Sequence, residues 1–339
     1  MTNFKKYLIY ATLVVVFLMI LSIFLTKEYH VYQERTYSVP KNILYNAIND
    51  LNTQKEWNAK ATLDTAFQIS FSGPAKGRDA SGVYTSTIYG DGNIIINKDS
   101  MDLIKMDDNG NNEKSRHYVY SFSSVDSVHT LLKVEASSHS GFLSNLLHII
   151  HKWKLKKQIN ISLDNLDIVV KNRFENNIYR GYQIKETVMN QKFFIALRSE
   201  VAMDNVGQYY TKNISALYQK AINANITIAG MPCGLYYTWD EKTKKSDMAA
   251  ALPTLAEVNI PEAETVNLPT NAAVIIEFNG DNSKAASAHF ALDDYMLDHD
   301  LINKPPVIEE YVTDPAKEAD PAKWKTNIIY YVQAKETKK

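Results

Sequence analysis

Two adjacent acids and a phenol, Glu309, Glu310 and Tyr311, stand in the run Pro-Val-Ile-Glu-Glu-Tyr-Val-Thr-Asp-Pro at Pro306–Pro315. The stretch is otherwise apolar and β-branched, so it predicts a strand over Val307–Val312. Alternate side chains of a strand share a face, which puts Val307, Glu309 and Tyr311 on one side and Ile308, Glu310 and Val312 on the other. One glutamate therefore faces solvent, expected to be Glu310, and the other is turned inward. An inward carboxylate costs several kcal/mol to desolvate unless it has a partner. A neighbouring phenol and a visiting cationic or polar ligand would supply one. The same pair also suits acid–base work, with Glu309 as general base and Tyr311 as proton donor. Asp314-Pro315 reads as a turn.

The remaining chemistry is sparse. The single cysteine, Cys233, excludes an intramolecular disulfide and a cysteine metal cage, and in Met231-Pro232-Cys233-Gly234 it reads as a small packed residue. His148 and His151 lie three apart on an expected helix without a third ligand, and Lys152, Lys154, Lys156 and Lys157 follow them as a solvated or headgroup-facing run. No metal site and no cofactor is expected, since no phosphate-binding glycine loop or nucleophile triad is present. A formal net charge of −1 over 339 residues gives no electrostatic footprint for nucleic acid.

Tyr7–Leu25 carries no charge and as a helix would span roughly 28 Å, the thickness of a bilayer core. Lys5 and Lys6 precede it and Lys27-Glu28 follow. The run is longer than a signal-peptide core and no Ala-x-Ala site follows it, so a single-pass anchor over 7–25 is expected. The basic residues before it favour an inner N-terminus with the following domains on the outer side.

Next come a strand over Glu28–Pro40, a helix opened by Pro40 and closing near Trp57, and strands at Phe67–Phe71, Gly82–Tyr89, Asn93–Asn97, Met101–Lys105, Tyr118–Ser123 and Thr130–Val134. Asp107-Asp108-Asn109-Gly110 reads as a turn between two of them. A long amphipathic helix is expected within Phe142–Arg173. Around Asn176–Gly181 the grammar changes. Strands at Gln191–Val201, Ile226–Gly230 and Leu235–Trp239, with a helix at Asn205–Asn223, form a first strand-helix-strand-strand unit. Ala272–Phe278, Ser283–Leu297, Val307–Val312 and Asn327–Gln333 repeat it. Such a duplication predicts two half-units about a pseudo-twofold with a cleft where they meet.

Two resemblances attach to these patterns. Val39-Pro40-Lys41, the helix ending near Trp57, Phe71-Ser72-Gly73-Pro74 and Gly82-Val83-Tyr84 resemble START-like or polyketide-cyclase-like (SRPBCC) domains. The resemblance implies a curved sheet gripping a long helix around an apolar cavity over residues 28–178. Many such domains carry Trp-x-x-Trp, and here Lys60 takes the second position. Pro306–Pro315 with Trp324-Lys325-Thr326-Asn327 resembles the C-terminal signature of GyrI-like (AraC-type effector-binding) domains over 182–335. Ile308 replaces the usual aromatic, Glu310 the apolar residue and Asn327 the second acid. Gly234-Leu235-Tyr236-Tyr237-Thr238-Trp239 looks like that family's Gly-apolar-apolar-Tyr-Tyr strand. The resemblance implies a pocket built from Glu309 and Tyr311, Tyr236 or Tyr237, and Tyr330, whose rings would each add about 0.5–2 kcal/mol against a cation.

The fold class expected is thus α+β, a helix-grip domain followed by a duplicated GyrI-like domain. The function expected is a membrane-anchored protein that senses or sequesters a hydrophobic, cationic organic ligand. A hydrolase of electrophilic small molecules using Glu309 and Tyr311, and an interaction module for a separate transcription factor, are the alternatives. Ligand identity and oligomeric state stay open.

Overall fold

Thr130–His139 shows how the first sheet is built. Thr130, Leu132, Val134, Ala136 and Ser138 are buried while the residues between them are more open, the period-two alternation of a strand with one face on a core. The computed structural model describes residues 3–24, 28–71, 73–111, 115–139 and 148–335, in two compact units, Met1–Glu175 and Asn176–Lys339.

In the first unit, helix α1 (Asn3–Phe24) precedes β1 (Glu28–Tyr37), α2 (Lys41–Asn49), the short helices α3 (Gln54–Trp57) and α4 (Ala59–Leu63), and strands β2 (Gln68–Phe71), β3 (Ser81–Thr85), β4 (Gly92–Ser100), β5 (Leu103–Gly110), β6 (Arg116–Ser124) and β7 (Thr130–His139). The strands form one antiparallel sheet in the order β1-β7-β6-β5-β4-β3-β2. Helix α5 (His148–Asn176) buries Leu155, Ile159, Leu163, Leu166 and Val170 in the same core as Leu132, Val134 and Ala136. Those positions recur every three or four residues, one stripe of a helix. The Tyr37 hydroxyl donates to the Leu163 carbonyl at 3.1 Å, tying strand to helix. One antiparallel sheet packed on a long helix is compatible with the helix grip expected. The expected start of the long helix at Phe142 falls in 140–147, outside the described residues, as does Ser72.

Two local expectations for this unit are corrected. Asp107–Gly110 is not a turn but the end of β5, paired with both β4 and β6, because the inward Asp108 finds a buried cation there (below). The strand expected over Gly82–Tyr89 stops at Thr85, where Asp64 gathers the next residues. Its carboxylate accepts from Ser86 Oγ at 2.6 Å, Thr87 Oγ1 at 3.0 Å and the Ile88 amide at 3.1 Å.

The charge-free run Tyr7–Leu25 is helical through Phe24, and Leu25 lies outside the described residues. Every described side chain from Phe4 to Phe17 is exposed. Among the described residues no helix is long and apolar enough to cross a membrane.

The second unit opens with a two-strand hairpin, β8 (Ile178–Tyr179) and β9 (Tyr182–Gln183). Then follow β10 (Lys185–Met189), β11 (Lys192–Ala202), α6 (Val206–Asn223), β12 (Cys233–Asp240), β13 (Lys245–Thr254), β14 (Glu264–Leu268), β15 (Asn271–Asn279), α7 (Ala286–Asp298), β16 (Leu301–Tyr311) and β17 (Lys325–Ala334). The eight-stranded sheet has the order β10-β15-β17-β16-β12-β13-β11-β14. Each repeat lays its third strand between its first and second, and the two second strands, β12 and β16, pair at the centre. This palindromic order is what a pseudo-twofold requires. Helix α6 shares a core with Ile195, Ala250 and Leu252, and α7 with Val274, Ile276, Ile328, Tyr330 and Val332.

The first repeat differs from expectation. Ile226–Gly230 is not a strand, and Ile228 makes only a single bridge to Thr254. The third strand is β13, whose Met248-Ala249-Ala250-Ala251-Leu252 is buried on both faces. Alanine is a poor strand former, so the run does not read as one. Strand β16 begins at Leu301, and its pairing with β17 shifts register between Lys304 and Ile308, where Pro305 and Pro306 have no amide to offer the ladder.

Candidate functional site

The site lies at the β12–β16 seam, on the face covered by the two helices. Glu309 sits opposite Gly234 on one neighbour and Ile328 on the other, and Tyr311 follows on the same face. Gly234 is followed on that face by Tyr236. The Tyr311 hydroxyl donates to Glu309 Oε2 at 2.8 Å, the Tyr236 hydroxyl lies 3.5 Å from the same oxygen, and the two hydroxyls are 3.1 Å apart. Gly234 makes this possible. A Cβ there would stand 2.9 Å from Tyr236 Cε2 and 3.1 Å from the Tyr311 hydroxyl.

The second oxygen of Glu309 meets a residue that sequence reasoning missed. His289, in the first turns of α7, places Nε2 3.0 Å from Glu309 Oε1 and Nδ1 3.1 Å from the Tyr330 hydroxyl. An ionised carboxylate only accepts, so the Nε2 proton is assigned to the bond with Glu309. Helix α6 contributes Tyr210, whose ring meets that of Tyr311 edge-on at 4.7 Å and whose buried hydroxyl has no hydrogen-bond partner among the described residues. Trp239 flanks Tyr236, ring centroids 6.1 Å apart. The Glu309 side chain is 13% exposed and that of His289 24%, so the carboxylate is largely but not wholly shielded. Burial first, then the Glu309 charge, pushes the Tyr236 and Tyr311 hydroxyls far above the usual phenol range. Burial does the same for Tyr330, reinforced by Asp293 and Glu309. These phenols are thus neutral hydrogen-bond donors. A carboxylate ringed by neutral phenols, with an imidazole on its second oxygen, can hold an organic cation or polarise a bound water.

The structure thus brings together Glu309, Tyr311, Tyr236 and, through His289, Tyr330. It does not bring Tyr237. Tyr237 shares the opposite face with Cys233 and Leu235, its ring capped by the Arg198 guanidinium at 3.6 Å. Nor is Glu310 a free solvent-facing acid. Its side chain is 20% exposed, with Lys192 Nζ 3.6 Å away and Asn327 Nδ2 donating at 2.8 Å, because the sheet curls and that face is also half-covered. Cys233 is buried and its thiol is pushed up by burial, consistent with a packed residue. Helical spacing could have revealed His289, since it shares a stripe with the buried Leu292 and Met296.

In the first unit, the space between sheet and α5 is small, about 30 Å³, lined by Lys60, Asp108, Arg116, Gln158 and Trp57 among others. That is room for roughly one or two waters. Lys60 places Nζ 2.7 Å from Asp108 Oδ2. No cluster of histidine, cysteine and carboxylates suited to a metal occurs among the described residues.

No family model and no curated protein matches this chain. Similar solved structures include the C-terminal domain of EcmrR, at 20% identity over 45% of this chain and 98% of that one, TM-score 0.41. A hydrolase from Listeria innocua aligns at 14% identity over 44% of this chain and 91% of that one, TM-score 0.33. Ara h 8.0201 aligns at 15% identity over 42% of this chain and 97% of that one, TM-score 0.34.

Proposed function

We propose that the second unit binds a hydrophobic organic cation against Glu309, and that the protein senses or sequesters such a molecule at a membrane. The observation that carries the reading is a shielded carboxylate whose hydrogen-bond partners are phenols and an imidazole. Lysine and arginine, which would cancel its charge permanently, are not among its ion-pair partners in the described residues. Ring faces and a half-buried charge are the elements that recognise a flat cation. Ethidium titration by fluorescence tests it. Glu309→Gln is expected to weaken binding by about 2–5 kcal/mol, the range for removing one member of a buried charge pair. Glu310→Gln, on the opposite face, is expected to leave binding within about 0.5 kcal/mol, as for a substitution away from the site. Equal losses in both variants would refute the assignment.

A hydrolase is the second reading, favoured by the continuous hydrogen bonding of carboxylate, imidazole and phenols, which suits proton transfer to and from a water. It requires turnover of an electrophile that Glu309→Gln abolishes. The membrane part of the proposal rests on α1, apolar on every side and exposed from Tyr7 to Phe17, a pattern that suits lipid rather than a soluble surface. A single-pass anchor with the chain from Glu28 onward on the outer side is the arrangement proposed. Full-length protein should resist extraction from membranes by alkaline carbonate and be cleaved by protease added outside. Release by carbonate would remove the anchor.

A further inference from the structure

Both oxygens of Glu309 are engaged by the protein's own groups, and of these groups only His289 can carry positive charge. The groups that face this pair come from five elements. Tyr311 is on β16 beside Glu309, Tyr330 on β17, Tyr236 on β12, Tyr210 on α6 feels the Glu309 charge, and Asp293 lies one turn along α7, near enough for its charge to act on Tyr330. The imidazole has two satisfied states. Neutral, it donates Nε2–H to Glu309 and accepts from the Tyr330 hydroxyl at Nδ1. Protonated, it donates on both sides, and the Tyr330 hydroxyl turns from donor to acceptor. The same geometry serves both, so neither state requires the pocket to rearrange.

We propose that His289 is a built-in counter-ion that decides which ligands the pocket accepts: its protonated ring cancels Glu309 and excludes organic cations, and its neutral ring leaves the carboxylate to them. This rests on the reading of Glu309 as the cation site. Ligand cation and ring proton compete for one carboxylate, so binding of one is linked to release of the other. The consequence is selectivity by charge that changes with pH. Permanent cations gain affinity as the medium becomes less acidic, while a neutral ligand of the same shape is indifferent.

The experiment uses the protein with ethidium as a permanent cation and acridone as a neutral fluorescent counterpart, titrated across roughly pH 5 to 8, the interval in which histidines change charge. For the wild type, ethidium affinity should fall by up to about tenfold per pH unit on the acid side, while acridone affinity stays level. His289→Gln should bind ethidium with no such slope and more tightly than the wild type at the acid end. Wild-type protein should also release close to one proton per ethidium bound in weakly buffered acid solution, a measurement that needs no variant. A level ethidium profile in the wild type, or the same slope in His289→Gln, overturns the proposal and leaves cation binding standing. Acridone binding without ethidium binding in either protein overturns the choice of cations. Failure of both probes with both proteins overturns the binding pocket itself, and this proposal with it.

Discussion

Removing the charge of Lys60 should expose how the first unit uses its interior. Lys60 Nζ and Asp108 Oδ2 are 2.7 Å apart, with side chains only 3% and 4% exposed. Lys60 Nζ also reaches the Tyr84 hydroxyl at 2.8 Å, and that hydroxyl donates to Asp108 Oδ1 at 2.8 Å. Deleting one member of such a pair costs about 3–5 kcal/mol, because the other charge stays buried. For Lys60→Met the lower end is expected, since Tyr84 still donates to Asp108 and the buried Arg116 stands opposite Asp108 in the β5–β6 register. Asp108→Leu belongs at the upper end, as it leaves the Lys60 ammonium buried without that carboxylate. The double variant Lys60→Met/Asp108→Leu should recover most of the loss, because an apolar pair of similar volume is often neutral or stabilising. The assay is chemical unfolding monitored by circular dichroism and tryptophan fluorescence, with the coupling read from the double-mutant cycle. A cost below about 0.5 kcal/mol for Lys60→Met, the range of ordinary surface substitutions, would refute the burial argument. So would a double variant equal to the sum of the singles.

Gly234→Ala should weaken ethidium binding and also lower stability by about 1–3 kcal/mol, the usual cost of overpacking, since the new methyl would press on Tyr236 and Tyr311. Unchanged binding would mean that the tyrosine pair does not shape the pocket. Asp64 is held well below the usual carboxylate range by its bonds from Ser86, then from Ile88, Ala66 and Thr87. A carboxylate lowered in the folded state contributes stability above its unfolded pKa, near 3.9, and loses it as the pH falls toward the folded value. Asp64→Asn should therefore flatten the acid limb of the unfolding midpoint against pH; an unaltered limb would assign acid sensitivity elsewhere.

What could be read from the sequence was what depends on local period. Strand alternation put Glu309 and Tyr311 on one face, and the strand-helix-strand-strand order read for the second repeat matches β15, α7, β16 and β17. What could not be read depends on the partner across the gap. Asp107–Gly110 has turn composition, and only Lys60 and Tyr84, distant in sequence, make it a strand with an inward acid. Strand β13 hides behind three alanines that suit a site buried on both faces. Tyr236 and Tyr237 are equivalent by composition, and it is the pairing of Gly234 with Glu309 that selects Tyr236 for the site.

The duplication itself explains why the site is where it is. A pseudo-twofold brings the second strands of the two halves together at the sheet centre, so residues there meet their own counterparts rather than a different element. Identical halves would set like against like, and two carboxylates at that distance could not both ionise. The halves have instead diverged at the seam. Gly234 on β12 leaves the space that Glu309 on β16 and the two tyrosines need, while α6 supplies an aromatic ring, Tyr210, and α7 supplies an ionisable one, His289. The asymmetry between the helices, more than the acid alone, sets the charge balance of the cluster. An acid in an apolar strand announces a site, whereas the residue that governs its charge comes from the helix packed over it.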